Sequence, residues 1–167
     1  MLTILWGSVP TVFGSTAGEI TYNTEGRPMP VKDPAIVYFS ETPPHIQKLP
    51  KKIEVDLSDQ TLSYYYGDDF KVDEIKISSG LKKTPTPIGT FSVKDKVPVK
   101  VYQGPGYYLP NTKWNLKFLP SGYYIHGAYW HNNFGNPMSH GCVNVPYSQM
   151  EKLYQFADVG TRVIITN

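Results

Sequence analysis

The chain contains one cysteine, Cys142, in the run Ser139-His140-Gly141-Cys142-Val143-Asn144. A lone thiol has no intrachain disulfide partner, and its thiolate is a strong nucleophile when a base is within reach. Three imidazoles precede it in one stretch: His126, His131 and His140. Imidazole titrates near neutrality, so it can take the thiol proton and later return it. His126 ends the run Tyr123-Tyr124-Ile125-His126, which reads as a strand and would hold the ring rigidly. His140, two residues before Cys142, would share a side with it in extended backbone but align poorly with sulfur. Cys142 is therefore the expected nucleophile and His126 the expected general base and proton donor. The Gly127 carbonyl can accept the second ring N–H of His126 and fix its tautomer, the task of a third triad member elsewhere.

Gly141 removes a side chain beside the nucleophile, so backbone and substrate can approach closely. The amides of Gly141, Cys142 and His140 are expected to form an oxyanion hole. Asn144, with donors and an acceptor, is expected to lock the loop or bind substrate. Ser139, Tyr108 and Tyr124 complete the expected substrate contacts, with Tyr107 beside them in a groove wall. Two other readings compete. An isolated Cys is commonly a small buried hydrophobe. A Zn²⁺ site could draw on His126, His131, His140 and Cys142. That set has none of the usual ligand spacings, and the chain lacks Cys-x-x-Cys and His-Glu-x-x-His, so no metal is expected. His131, in Trp130-His131-Asn132-Asn133, reads as a structural or rim residue.

The elements that must carry these groups read as mostly β. Ile53, Val55 and Leu57 alternate with Lys52, Glu54 and Asp56, and Leu62, Tyr64 and Tyr66 alternate after a Ser58-Asp59-Gln60 turn. That pattern predicts a half-buried hairpin. A third strand is expected over 70–78 and another from Phe91. Thr84-Pro85-Thr86-Pro87 lacks two amide donors and must be loop. Residues 95–121 hold Pro98, Pro105, Pro110 and Pro120 among many aromatics, and read as short strands joined by turns, a flap over a groove. After the Cys run, Pro146 suits a first helical turn, Met150, Leu153 and Tyr154 follow at helical spacing, and Gly160 marks the stop. A closing strand is expected over 162–166, giving roughly eight strands and one helix.

With 40% hydrophobic and 18% charged residues among 167, the chain is globular rather than disordered. A net charge of +2 without a long basic run gives no reason to expect a nucleic-acid partner. Residues 1–17 combine an apolar run with Ser15-Thr16-Ala17, which resembles a signal-peptidase site, but no Lys or Arg precedes Arg27. They read either as a signal peptide with a truncated or misassigned start or as an ordinary apolar segment, export being the favoured reading, and no transmembrane span is expected in the mature chain. Residues 18–50 read as a Pro-rich arm or linker with one short strand over 35–39, and 51–167 as the catalytic domain.

His126-Gly127, a Gly/Asn loop and then Ser139-His140-Gly141-Cys142-Val143-Asn144 together resemble the signature of the L,D-transpeptidases with a YkuD catalytic domain. Ser79-Gly80 followed by Thr84-Pro85-Thr86-Pro87-Ile88-Gly89-Thr90-Phe91 is similar to that family's Thr-Pro-x-Gly-x-Phe region, and residues 53–66 to its opening hairpin. The interval from His126 to Ser139 is shorter than in the best-known members, and a sister pattern has Arg at the Asn144 position. The resemblance implies a YkuD-like β-sandwich or barrel of short strands with one helix in the C-terminal half, working without a cofactor. It implies a cell-wall enzyme outside the cytoplasm. Cys142 would attack the carbonyl joining the third residue of a peptidoglycan tetrapeptide stem to its terminal D-alanine. A thioester and then a 3→3 cross-link would follow. Water as acceptor would make the protein an L,D-carboxypeptidase, and loss of the chemistry a wall-binding domain. Carbapenems, which resemble the acyl donor, are implied as acylating inhibitors.

Overall fold

The chain divides into two units, Met1–Val37 and Tyr38–Asn167. The structure, a computed structural model, describes residues 42–167. The signal-like segment and the strand expected over 35–39 lie outside the described residues.

A single helical turn, α1 (Pro44–Gln47), stands at the end of the expected arm. The predicted hairpin follows as β1 (Lys51–Asp56) and β2 (Thr61–Tyr66), paired antiparallel with Ile53 opposite Tyr64. β3 (Phe70–Lys76) extends it. β4 (Gly89–Ser92) and β9 (Arg162–Thr166) complete a five-stranded sheet of order β3-β2-β1-β9-β4, in which β1 and β9 are parallel. A second sheet of order β5-β6-β7-β8 is built from β5 (Asp95–Gly104), β6 (Tyr107–Leu119), β7 (Tyr123–Ala128) and β8 (Val143–Pro146). One core joins them. Ile53, Val55, Leu62, Tyr64, Val163 and Ile165 of the first sheet and Leu116, Phe118, Ile125, Val143 and Val145 of the second are all buried in it. In β1 the alternating apolar positions Ile53 and Val55 bury one face of the strand, which is what its sequence required.

α2 (Tyr147–Phe156) places Met150 and Leu153 in that core, as its spacing predicted. Phe156 joins them, with its ring 4.8 Å from Tyr64 and 5.0 Å from Tyr66. Pro146 is the N-cap rather than the first helical residue. Among the described residues no helix is long and apolar enough to cross a membrane.

Residues 95–121 depart most from expectation. They form two long strands, β5 of 10 residues and β6 of 13, instead of several short ones. The prolines are tolerated because of where the pairing stops. β5 is an edge strand, so Pro98 can turn its missing donor outward. β6 pairs with β7 only from Asn115 onward, so Pro110 has β5 on one side alone. The register also shifts between Lys100 and Tyr102, a bulge that exchanges the faces of the strand.

The two sheets are also tied by backbone. Past β3, Ser78 N–H donates to Asn144 O and Asn144 N–H to Ser78 O, both at 2.9 Å. Ser79 O accepts from Ser139 N–H, and Ser139 O from Leu81 N–H, each at 2.9 Å. Gln60, in the first hairpin turn, holds this segment in place. Its Oε1 accepts Ser79 N–H at 2.8 Å, and its Nε2 donates to Ser79 Oγ at 2.7 Å and Leu57 O at 2.6 Å. Removing a buried amide leaves its partners without hydrogen bonds inside the protein. Gln60→Ala is therefore expected to lower the unfolding free energy by about 2–3 kcal/mol in urea titrations. A loss within about 0.5 kcal/mol, the usual range for a surface change, would show that Gln60 does not carry this junction.

Candidate active site

Cys142 sits in the turn between the 129–138 loop and β8, level with the start of β7, where the Tyr124 backbone N–H reaches its thiol. Ser139 shapes that turn. Its Oγ accepts Gly141 N–H at 3.0 Å and donates to Cys142 O at 2.5 Å. Gly141 takes φ +116°, a conformation that L side chains rarely adopt. A Cβ there would lie 2.6 Å from the Tyr123 ring. Gly80 backs the turn from the other side. A Cβ on it would meet the Thr84 carbonyl and come within 2.9 Å of Gly141 Cα. Glycine is needed at Gly80 because backbones pass in contact there, and at Gly141 because of its positive φ and the Tyr123 ring.

His126, in β7, is buried at 3% exposure. Its Nδ1 lies 3.1 Å from Gly127 O. A carbonyl only accepts, so Nδ1 carries the ring proton and Nε2 presents a lone pair. The ring is stacked on Tyr102, centroids 4.6 Å apart, and tilted against Trp130 at 5.7 Å. Tyr102 is fixed in turn: its hydroxyl donates to Asn115 Oδ1 at 2.9 Å, and Asn115 Nδ2 donates to Val97 O and Thr112 O, both at 2.9 Å. Cys142 and His126 open onto one cavity of about 150 Å³, shared with Tyr102, Tyr107, Leu109, Trp130, Met138, Ser139, His140 and Asn144.

Burial dominates the electrostatics. It pushes the Cys142 thiol up to about 11, against the opposing pull of the Tyr124 backbone N–H and of Lys100. It pushes His126 down to about 4, against the Gly127 carbonyl and with a further push from His131. Both groups rest neutral near pH 7. Lys100 lies over the aromatic pair beside the thiol, with Nζ 5.5 Å from the Tyr102 centroid and 5.4 Å from that of Tyr124.

Several expected contacts fall elsewhere. The Gly141 amide is spent on Ser139 Oγ, so of the three loop amides proposed for an oxyanion only those of Cys142 and His140 are left untied by that hydroxyl. The Ser139 hydroxyl is itself committed within the turn. Tyr108 is 64% exposed and does not line the cavity, whereas Tyr107 does and stacks on His140 at 4.9 Å. Neighbouring strand residues face opposite sides, and the extra residue of β6 at Pro110–Asn111, opposite Val101 of β5, hid which parity points inward. Tyr124 is buried behind Tyr102, rings 5.7 Å apart, and is not part of the cavity lining. Asn144 does line it, with its side-chain amide nitrogen 3.1 Å from His131 Nε2. Tyr102, Leu109, Trp130 and Met138 were not foreseen. All four are ordinary apolar or aromatic residues of the 95–139 stretch, and only the pairing of β5 with β6 brings Tyr102 to His126. Among the described residues no group of three or more His, Cys, Asp or Glu is placed to hold a metal ion.

A half-buried thiol and a buried imidazole sharing one cavity on a two-sheet β scaffold define a cysteine–histidine site. Residues 50–165 match the model of the YkuD L,D-transpeptidase catalytic domain, and the chain belongs to that family. A search of curated proteins gives no match. Among solved structures the chain is similar to an L,D-transpeptidase from Mycobacterium smegmatis, at 26% identity and TM-score 0.65 over 70% of this chain and 58% of that one. It is similar to the catalytic domain of an Enterococcus faecium L,D-transpeptidase, at 32% identity and TM-score 0.61 over 70% of this chain and 96% of that one. It is also similar to an L,D-transpeptidase solved as its avibactam carbamoyl enzyme, at 33% identity and TM-score 0.64 over 70% and 49%. The chain thus spans between about half and three-fifths of the longer relatives, the 49% and 58% above, and nearly all of the isolated catalytic domain.

Two outcomes follow from this geometry. The unfolded chain binds a proton at His126 near pH 6.5, and the folded chain resists it to about pH 4. Stability from this group is present above 6.5 and lost as pH falls through that window, by up to about 3 kcal/mol. The stability difference between wild type and His126→Gln should therefore shrink from pH 7 to pH 4 in urea unfolding. A difference independent of pH would count against a neutral buried His126. Gly141→Ala should disturb the turn, lowering alkylation or acylation of Cys142 at least about tenfold. An unchanged rate would show that the turn tolerates the side chain.

Proposed function

We propose that the chain is a peptidoglycan L,D-transpeptidase that works through a thioester on Cys142. The observation that carries this reading is the His126 tautomer. With its Nδ1–H turned to the Gly127 carbonyl, its bare Nε2 is the ring nitrogen left to take a proton in a cavity that also holds the thiol.

The thiol sulfur attacks the carbonyl carbon between the third stem residue and D-alanine as its proton passes to His126 Nε2. Burial disfavours either charge alone, so a transfer that creates thiolate and imidazolium side by side lets each offset the other. The carbonyl π electrons move to oxygen, and the oxyanion accepts from the Cys142 and His140 amides. Collapse breaks the C–N bond, and the leaving amine takes the proton from His126. The amine of a second stem then attacks the thioester and loses a proton to His126. The sulfur leaves and recovers that proton, which closes the cycle with a 3→3 cross-link. The aromatic lining from Tyr102, Tyr107 and Trp130 suits a peptide lying across the cavity. The reading places the protein at the cell wall, outside the cytoplasm. Acylation by carbapenem-type inhibitors belongs to it as well. A relative at 33% identity carries avibactam as a carbamoyl enzyme, which supports that part.

Intact-protein mass spectrometry with a defined tetrapeptide-stem muropeptide tests the proposal. Wild type should gain a thioester adduct, release D-alanine and build dimers; Cys142→Ala should do none of these. His126→Ala should acylate at least about 100-fold more slowly. Trimmed tripeptide without dimers would assign water as the acceptor and make the chain a carboxypeptidase. Turnover by Cys142→Ala, or a folded wild type that binds sacculi without adduct or turnover, would sink the transpeptidase reading.

A further inference from the structure

We propose that His131 orients the Asn144 side chain so that its NH₂ group faces the Cys142 cavity and binds a carbonyl or carboxylate oxygen of the acyl donor. The proposal rests on the transpeptidase reading for the identity of the donor, but the orientation itself follows from local chemistry.

The Asn133 backbone N–H donates to His131 Nδ1 at 3.2 Å. A backbone donor cannot be rotated away, so Nδ1 is bare and a neutral His131 carries its proton on Nε2. Burial lowers the pKa of His131 and so favours that neutral form. Nε2 lies 3.1 Å from the Asn144 amide. Two N–H donors cannot bond to each other. The pair is satisfied only when Asn144 Oδ1 faces Nε2, an exchange of amide O and N that leaves the shape of the side chain unchanged.

The other end of the amide then carries the two N–H donors. Asn144 is 2% exposed, and the surface it keeps contributes to the wall of the cavity shared with Cys142 and His126. Its backbone is held on both sides by Ser78, so amide rotation is the freedom that remains, and His131 removes it. Among the described residues no carboxylate lines the cavity. Donors presented there match an oxygen-bearing ligand, as the peptide bonds and carboxylates of a stem peptide provide. The ring of His131 is in turn packed at 4.7 Å from Phe134, which ties the 129–138 loop to the site. His131 is thus a positioning residue, and Asn144 the group that touches substrate.

Long-range ¹H–¹⁵N correlation spectra of the uniformly labelled full chain near pH 7 read the tautomer directly, with His131→Gln giving the assignment. The expected pattern has the proton on Nε2 and a bare Nδ1; an Nδ1–H tautomer overturns the proposal whatever the enzyme does. Acylation of Cys142 by imipenem, followed by intact mass, reads the consequence. His131→Leu should slow it at least about tenfold, because the amide is then free to turn. His131→Gln, whose side-chain NH₂ can still donate to Oδ1, should stay within about threefold of wild type. Equal losses in both variants, or none in His131→Leu, overturn it. If His131→Leu fails to fold, the spectrum and the Gln variant decide. A wild type that is never acylated at Cys142 would instead refute the transpeptidase reading and leave the tautomer result standing.

Discussion

The site depends on one short pairing of backbone: residues 78–81 against residues 138–144. These segments lie about 60 positions apart in sequence, so their closure is entropically costly and has to be supported from several sides. Five backbone bonds at 2.9 Å supply the pairing itself. Gln60 anchors one strand of it from the first sheet, and Ser139 Oγ rigidifies the other from within the Cys142 turn. Gly80 and Gly141 allow the two backbones to touch. Cys142 is therefore positioned by main chain, which varies less with thermal motion than a long side chain would.

Placing Cys142 this way also determines its electrostatics. The turn is packed against β7 and the Tyr102 ring, so the thiol and His126 are both poor at holding charge. A neutral thiol is also the less reactive form toward oxidants, so the burial protects Cys142. The neutral pair is not idle, because Lys100 and the Tyr124 amide already draw the thiol toward ionisation. A substrate that displaces water strengthens each of these interactions by lowering the local dielectric.

The β5–β6 hairpin gives the cavity its aromatic side. Tyr102 contributes a ring stacked on His126, and Asn115 holds its hydroxyl, so the stack restrains imidazole rotation that the Gly127 bond alone would permit. Tyr107 does the same for His140 at the mouth. Two histidines of the cavity wall are thereby steadied by one hairpin, and through it the outer strands of the second sheet bear on the site.

Local pattern was enough to read much of this molecule. Alternation gave β1 and β2, helical spacing gave the buried stripe of α2, and the lone Cys with its His-containing runs marked the thiol and the imidazole that the structure brings to one cavity. These features are legible because period and residue type act over a few neighbours. What surrounds Cys142 was decided only by tertiary structure. Whether Tyr107 or Tyr108 faces inward depends on strand register, and one position or one bulge reverses it. Commitment of the Gly141 amide to Ser139, burial of Tyr124 behind Tyr102 and the approach of Gly80 to Gly141 all arise from contacts between distant segments. The low pKa of His126 and the high pKa of Cys142 have the same origin, since desolvation is a property of everything packed around a group and not of the residues beside it in the chain.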